Sequence, residues 1–125
     1  MLFAVAVCAA LMAACGGSTG GAARAQAPVD WRGRTHVDVD ATSDRFVPAD
    51  VVINPGTTVT WHNRDAVVHN IRAASGAAGF GGAFGADSAA FGPRATYAFT
   101  FTKLGDYPYT CTIHPGMTGS IRVAA

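Results

Sequence analysis

Thr96-Tyr97-Ala98-Phe99-Thr100-Phe101-Thr102, then Leu104-Gly105-Asp106, then Tyr107-Pro108-Tyr109-Thr110-Cys111, spells two alternating runs separated by a break. Tyr97, Phe99 and Phe101 alternate with Ala98 and Thr100, the period of a strand with one face buried. Leu104-Gly105-Asp106 breaks the run, after which Tyr107, Tyr109 and Cys111 share one face of a second strand. Pro108 has no N–H for a ladder, which predicts an edge strand or a local gap in pairing. Upstream the pattern repeats. Thr35 to Asp40 alternates, with Val37 and Val39 inward and His36, Asp38 and Asp40 outward. Val51 to Ile53 ends at Asn54-Pro55-Gly56, where Pro fixes one dihedral and Gly frees the next. Thr57 to His62 turns Val59 and Trp61 inward, Val67 to Arg72 is another short run, and Ile121 with Val123 closes the last. No segment carries a helical period. Short alternating strands at this spacing predict an all-β, antiparallel β-sandwich.

Ser75 to Gly92 interrupts the strands with Gly and Ala, and with Phe80, Phe84 and Phe91. Gly79 and Gly81 fit the first two positions of G-x-G-x-x-G, but Phe84 takes the third and no helix follows. The phosphate-binding reading fails, and a long loop packing its phenylalanines over the sandwich is expected.

The chain has 125 residues, enough for one domain and a short appendage. Nine Lys and Arg against eight Asp, with no Glu, leave a net charge of +1 and no electrostatic footprint for nucleic acid. Half the residues are hydrophobic, which excludes whole-chain disorder. Leu2 to Ala14 is an uncharged apolar run, shorter than the roughly 20 residues of a membrane span. It reads as the hydrophobic part of a secretory signal over residues 1–14, although no Lys or Arg precedes it. The run ends in Leu11-Met12-Ala13-Ala14-Cys15, which resembles a bacterial lipobox. On that reading Cys15 carries lipid and attaches the protein to a membrane. Cleavage after Ala23-Arg24-Ala25, giving a soluble secreted form, is the alternative. Residues 15–27 form a flexible Gly/Ala-rich tether, and residues 28–125 the folded domain. The expected location is therefore extracytoplasmic. Cys8 leaves with the signal, so Cys111 stands without a disulfide partner in an exported domain. It is either an inert buried thiol or one that does chemistry.

Cys111, His114 and Met117 recur at every third position of Tyr109-Thr110-Cys111-Thr112-Ile113-His114-Pro115-Gly116-Met117. A tight loop with that spacing can turn all three side chains toward one point. A thiolate and a thioether are soft ligands and imidazole is intermediate, a set suited to copper, whereas structural zinc sites rarely use thioether. His69, at a strand end before Asn70, is the strongest candidate for a further ligand. Two His, one Cys and a long axial Met make the blue-copper arrangement. His36 and His62, on outward faces, are expected to be solvated rather than ligands.

The segments Phe46-x-Pro48, Gly56-Thr57-Thr58-Val59-Thr60-Trp61-x-Asn63 and His69-Asn70 resemble the amino half of plastocyanin-like cupredoxins. Gly105-Asp106-Tyr107-x-Tyr109-x-Cys111-x-x-His114-x-x-Met117-x-Gly119-x-Ile121 resembles the carboxyl half. The two-residue gap between His114 and Met117 is similar to the short ligand loop of amicyanins. The resemblance implies the Greek-key cupredoxin fold and one type 1 copper ion. It makes His69, Cys111 and His114 the equatorial ligands and Met117 the weak axial one. Asn70 would tie its loop to the Cys111 loop near Thr112 and offer a backbone N–H to the thiolate. Ile113 stands where amicyanins carry proline. Its N–H is expected to reach the Cys111 sulfur, and Ile113→Pro to lower the reduction potential. Gly116 replaces a bulky aromatic, which separates the surface around His114 from the family pattern. Four protein ligands leave no open position for a small-molecule substrate, so no enzyme is expected. The function implied is a monomeric single-electron carrier between redox protein partners docking near His114. A copper-buffering or copper-delivering protein is the alternative.

Overall fold

The computed structural model describes residues 26–74 and 89–125. The apolar amino-terminal run, most of the tether, Phe80 and Phe84 lie outside the described residues. Among the described residues ten strands follow one another: β1 (Val29–Asp30), β2 (His36–Thr42), β3 (Arg45–Val47), β4 (Asp50–Ile53), β5 (Thr57–Asn63), β6 (His69–Ala73), β7 (Ala89–Phe91), β8 (Thr96–Phe101), β9 (Gly105–Thr110) and β10 (Thr118–Val123). They form a sandwich of a six-stranded sheet, ordered β1-β4-β10-β9-β6-β7, and a four-stranded sheet, ordered β3-β2-β5-β8. Both sheets are mixed. β1 with β4, β4 with β10 and β2 with β5 run parallel, and the other pairs antiparallel. The parallel β2–β5 pair arises because the chain leaves β2 through β3, crosses to β4 in the opposite sheet, and returns as β5. Alternation in sequence reports which face is buried and carries no information on a neighbour's direction.

The two buried faces meet in one core. Val37, Val39, Val59, Trp61 and Phe101 face Val51, Ile53, Ile71, Tyr107, Tyr109, Ile121 and Val123. The Trp61 Nε1–H donates to the Tyr109 hydroxyl at 3.0 Å, bonding one sheet to the other. Tyr109 also meets Phe46 and Trp61 edge-on, at ring-centroid distances of 4.8 and 5.4 Å. Such pairs add roughly 0.5–1.5 kcal/mol beyond burial itself. Burial pushes the Tyr109 phenol well above its usual pKa, so its proton stays put. Phe91, expected in a loop, lies on short strand β7 and is buried.

Pro108 does not mark an edge. β9 is flanked by β10 on one side and β6 on the other. The Pro108 carbonyl accepts the Ala74 N–H at 2.9 Å, but proline cannot return the second bond of that pair. The β6 ladder accordingly ends at Ala73, opposite Tyr109. At its other end β6 begins at His69, leaving Val67 and Val68 exposed in the preceding loop. The register pairs Arg72 with Thr110, and two further steps along it bring Asn70 beside Thr112. The start of β6 and the end of β9 thus open at the same end of the sandwich.

Candidate metal centre

Cys111 follows the last residue of β9 and begins the connection to β10. The Cys111 N–H donates to the Met117 carbonyl at 2.9 Å, and the Met117 N–H to the His114 carbonyl at 3.3 Å. The Thr110 hydroxyl donates to the same Met117 carbonyl at 3.1 Å. These bonds fold residues 111–117 into a closed loop. Gly116 sits at φ +83°, a left-handed conformation that favours glycine. Cys111 and Met117 are buried, and His114 keeps a side-chain exposure of 23%.

His69 arrives from β6, fully buried. Its Nδ1 lies 3.1 Å from the His114 Nδ1. The Cys111 Sγ lies 3.9 Å from the His69 Nδ1 and 3.6 Å from the His114 Nδ1. One sulfur and one ring nitrogen from the 111–117 loop and a second ring nitrogen from β6 therefore form a triangle closed on all sides.

Both histidines are steadied from behind. The His69 Nε2–H donates to Asp65 Oδ2 at 2.8 Å. Asp65 also accepts the Ser43 N–H at 2.8 Å and the Asp44 N–H at 3.1 Å, from the β2–β3 turn. Ser43 and Asp44 have φ of 52° and 54°, a left-handed pair that aims both amides at one carboxylate. Burial pushes the Asp65 carboxyl up, but the Ser43 and Asp44 amides and the His69 ring outweigh it and hold the pKa below the usual range. Asp44 Oδ1 stands 3.6 Å from the His114 Nε2. Asp44, Asp65 and His69 also converge. The Asp65 oxygens there are already engaged by N–H donors, so this group serves as the outer support of His69. Asn63, buried at the end of β5, shapes the intervening loop. Its amide donates to the Val67 and Phe91 carbonyls at 2.7 and 3.1 Å, and its oxygen accepts the Asp65 N–H at 2.9 Å.

Asn70 spans the two loops. Its Nδ2 donates to the Thr112 hydroxyl at 2.7 Å, and its Oδ1 accepts the Thr112 N–H at 2.7 Å. Ile113 is exposed. Among the described residues the hydrogen-bond partners of Cys111 Sγ are the two Nδ1 atoms, and neither the Ile113 nor the Asn70 backbone N–H is one of them. His36 and His62 lie on the outer face of the four-stranded sheet, away from this group. Asp65 and Asp44 were not singled out from the sequence. Asp65 had one usable signal, a carboxylate four residues before His69; Asp44 had none, because its place depends on a turn from a distant strand pair.

The donor set suits a borderline-to-soft ion: a cysteine sulfur and two imidazole nitrogens, with the buried Met117 closing the same loop. The chain matches the model of the copper-binding proteins of the plastocyanin/azurin family over residues 34–124. It belongs to that family. Copper is accordingly its cofactor, with His69, Cys111 and His114 as the candidate ligand group. Among curated relatives the family likeness is to amicyanins. The amicyanin of Paracoccus denitrificans is 35% identical over 89 residues, which cover 68% of this chain and 63% of that protein. The chain thus spans less than two thirds of that relative's length. Amicyanin-alpha of Methylorubrum extorquens is 33% identical, covering 69% of this chain and 70% of its own. Among solved structures, that of amicyanin from Paracoccus versutus superposes with a TM-score of 0.60 at 30% identity, covering 71% of this chain and 81% of the other. The reduced state of an amicyanin mutant gives a TM-score of 0.60 at 31% identity, over 71% and 82%.

Proposed function

We propose that the protein is a type 1 copper electron carrier, not an enzyme, passing single electrons between redox protein partners in the cell envelope. The observation that carries this reading is the buried triangle of Cys111 Sγ, His69 Nδ1 and His114 Nδ1, with only His114 reaching the surface. Copper held there supplies a one-electron couple. Cys111 would hold the ion through its sulfur and the two histidines through Nδ1, and Met117 would add a weak thioether ligand. Asp65 and the Asn70–Thr112 pair of hydrogen bonds hold the donors in place, so little rearrangement accompanies a change of charge. Ile113 contributes to the loop that positions His114 and to the surface around it. The exposed apolar side chains Val67, Val68 and Ile113 flank His69 and His114 in sequence and offer partners a face for transient docking. Residues 1–14 serve as the export signal, Cys15 as the lipid-anchored residue, 15–27 as the tether, and 28–125 as the monomeric carrier domain. What supports this arrangement is the apolar run ending at Leu11-Met12-Ala13-Ala14-Cys15.

The test is a Cu(II) titration of metal-free protein. A single equivalent that produces an intense blue thiolate-to-copper band, is reversibly reduced and exchanges electrons rapidly between copies is the expected result. Replacing Cys111 by Ser should abolish the colour. A colourless complex, or handover of the ion to an apo-acceptor, would point to copper buffering or delivery and overturn the carrier reading.

A further inference from the structure

The β5–β6 connection and the turn between β7 and β8 enclose a cleft of about 340 Å³, lined by Arg64, Asp65, Ala66, Pro93 and Arg94. We propose that this cleft is a docking subsite for a surface carboxylate of an acidic redox partner. The proposal rests on the carrier reading and adds to it the charge of the partner. Arg94 carries the argument. The turn Gly92-Pro93-Arg94-Ala95 is closed by the Ala95 N–H, which donates to the Gly92 carbonyl at 3.0 Å, and Arg94 has a φ of +64°. Proline second and a positive φ third is the pattern of a type II turn, whose third residue is usually glycine. An arginine there strains the backbone, and such strain clusters where a side chain is put to use.

The turn is held firmly while the side chain is not. The Arg94 N–H donates to the Asn63 carbonyl at 3.1 Å, and the Asn63 N–H to the Ala95 carbonyl at 3.0 Å, which pins the turn to the end of β5. Among the described residues the Arg94 guanidinium has no hydrogen bond and no ion pair. Arg64 gives its Nε–H to Asp40 at 2.8 Å, and its terminal nitrogens have no partner among the described residues. Asp65 does not answer either arginine, because its oxygens already accept the Ser43, Asp44 and His69 N–H groups. Guanidinium N–H groups match the two oxygens of a carboxylate. The position fits an electron carrier. Asp65 forms one wall of the cleft and bonds the His69 ring, and the exposed Ala66, Val67 and Val68 follow it directly. An acidic group held in the cleft therefore sets the partner's surface beside the Cys111 centre.

An NMR titration of the Cu(I)-loaded protein tests this, with a capped triglutamate peptide standing in for the partner and inorganic phosphate as a second titrant. The expected result is saturable amide shifts at residues 64–66 and 93–95 with the peptide, smaller ones with phosphate, and weakening of both by salt. Arg94→Gln should weaken the peptide about tenfold, the worth of one charge-assisted hydrogen bond. Lys103→Gln removes the same charge in the β8–β9 connection, at the other end of the sandwich, and should leave binding unchanged. Arg94→Gly relaxes the turn and removes the guanidinium, so it should keep or raise the urea midpoint while weakening the peptide equally. A lowered midpoint with binding intact would assign Arg94 to the fold and overturn the proposal. So would phosphate binding tighter than the peptide, which would make the cleft a small-anion site, or no shifts at these residues. Protein that turns blue on oxidation but shows no shifts defeats the docking subsite alone, whereas a colourless copper complex defeats the carrier reading.

Discussion

One carboxylate, that of Asp65, receives three N–H groups, from Ser43, Asp44 and the His69 ring. Truncating it strands those donors around a partly buried position, so Asp65→Ala should cost about 1–3 kcal/mol in urea unfolding. His69 would also lose its orientation, and retention of copper against a chelator should fall about ten- to a hundredfold. Unchanged chelator competition would show that His69 is held by β6 alone. Ile113 poses the opposite case. Its amide is not among the partners of Cys111 Sγ, and its side chain is exposed. Ile113→Pro should therefore leave the reduction potential in place. A drop of roughly 40 mV, equivalent to one hydrogen bond of about 1 kcal/mol for one electron, would mean that the amide engages the sulfur after all. These two residues mark how far the site was legible. Cys111, His114 and Met117 announce themselves because soft donors at a fixed short spacing are scarce. Asp65 and Asp44 do not, because their value depends on a turn more than 20 residues before Asp65, made by strands whose pairing no local pattern records.

Strands β9 and β10 place Gly119 opposite Tyr109. A Cβ on Gly119 would come within 2.5 Å of the Tyr109 hydroxyl oxygen and 2.7 Å of the Ala49 carbonyl oxygen. The ring lies in the space a side chain would need, and neither Trp61 nor Phe46 leaves it room to retreat. Gly119→Ala should destabilise the fold by about 1–3 kcal/mol, read as a lower urea midpoint at unchanged slope. Gly92→Ala, with open space around its Cβ, should stay within roughly 0.5 kcal/mol of the parent. Equal effects at the two positions would refute the packing argument. The same strands explain what could be read in advance. β2, β5, β8 and β9 are six or seven residues long, enough for alternation to stand out. β1, β3 and β7 have two or three residues and carry no period. At Pro108 the local gap in pairing is the alternative that holds, because a central strand tolerates proline where its neighbour's ladder is ending, a condition set by β6.

Across the whole molecule, the core and the metal centre are joined yet separately supported. Trp61 and Tyr109 bond the sheets, and the apolar faces between them are continuous from β2 to β10. The centre hangs from one end of this sandwich on protein-to-protein ties: Asn70 to Thr112, Asp65 to His69, and Cys111 to Met117. A framework closed by its own hydrogen bonds should not need the ion in order to fold. Copper would then act by mass action, adding roughly 4 kcal/mol when free ion exceeds the dissociation constant a thousandfold. The expected outcome is specific to place. Hydrogen exchange on metal-free and copper-loaded protein should give the same protection in β2, β5, β9 and β10. Slowing on loading should be confined to residues 63–70 and 111–117, which open locally at lower cost than the core. Loss of protection throughout β2 and β5 on metal removal would instead mean that the ion nucleates the sandwich. The ties around Asp65 and Asn70 would then be consequences of binding rather than its preparation.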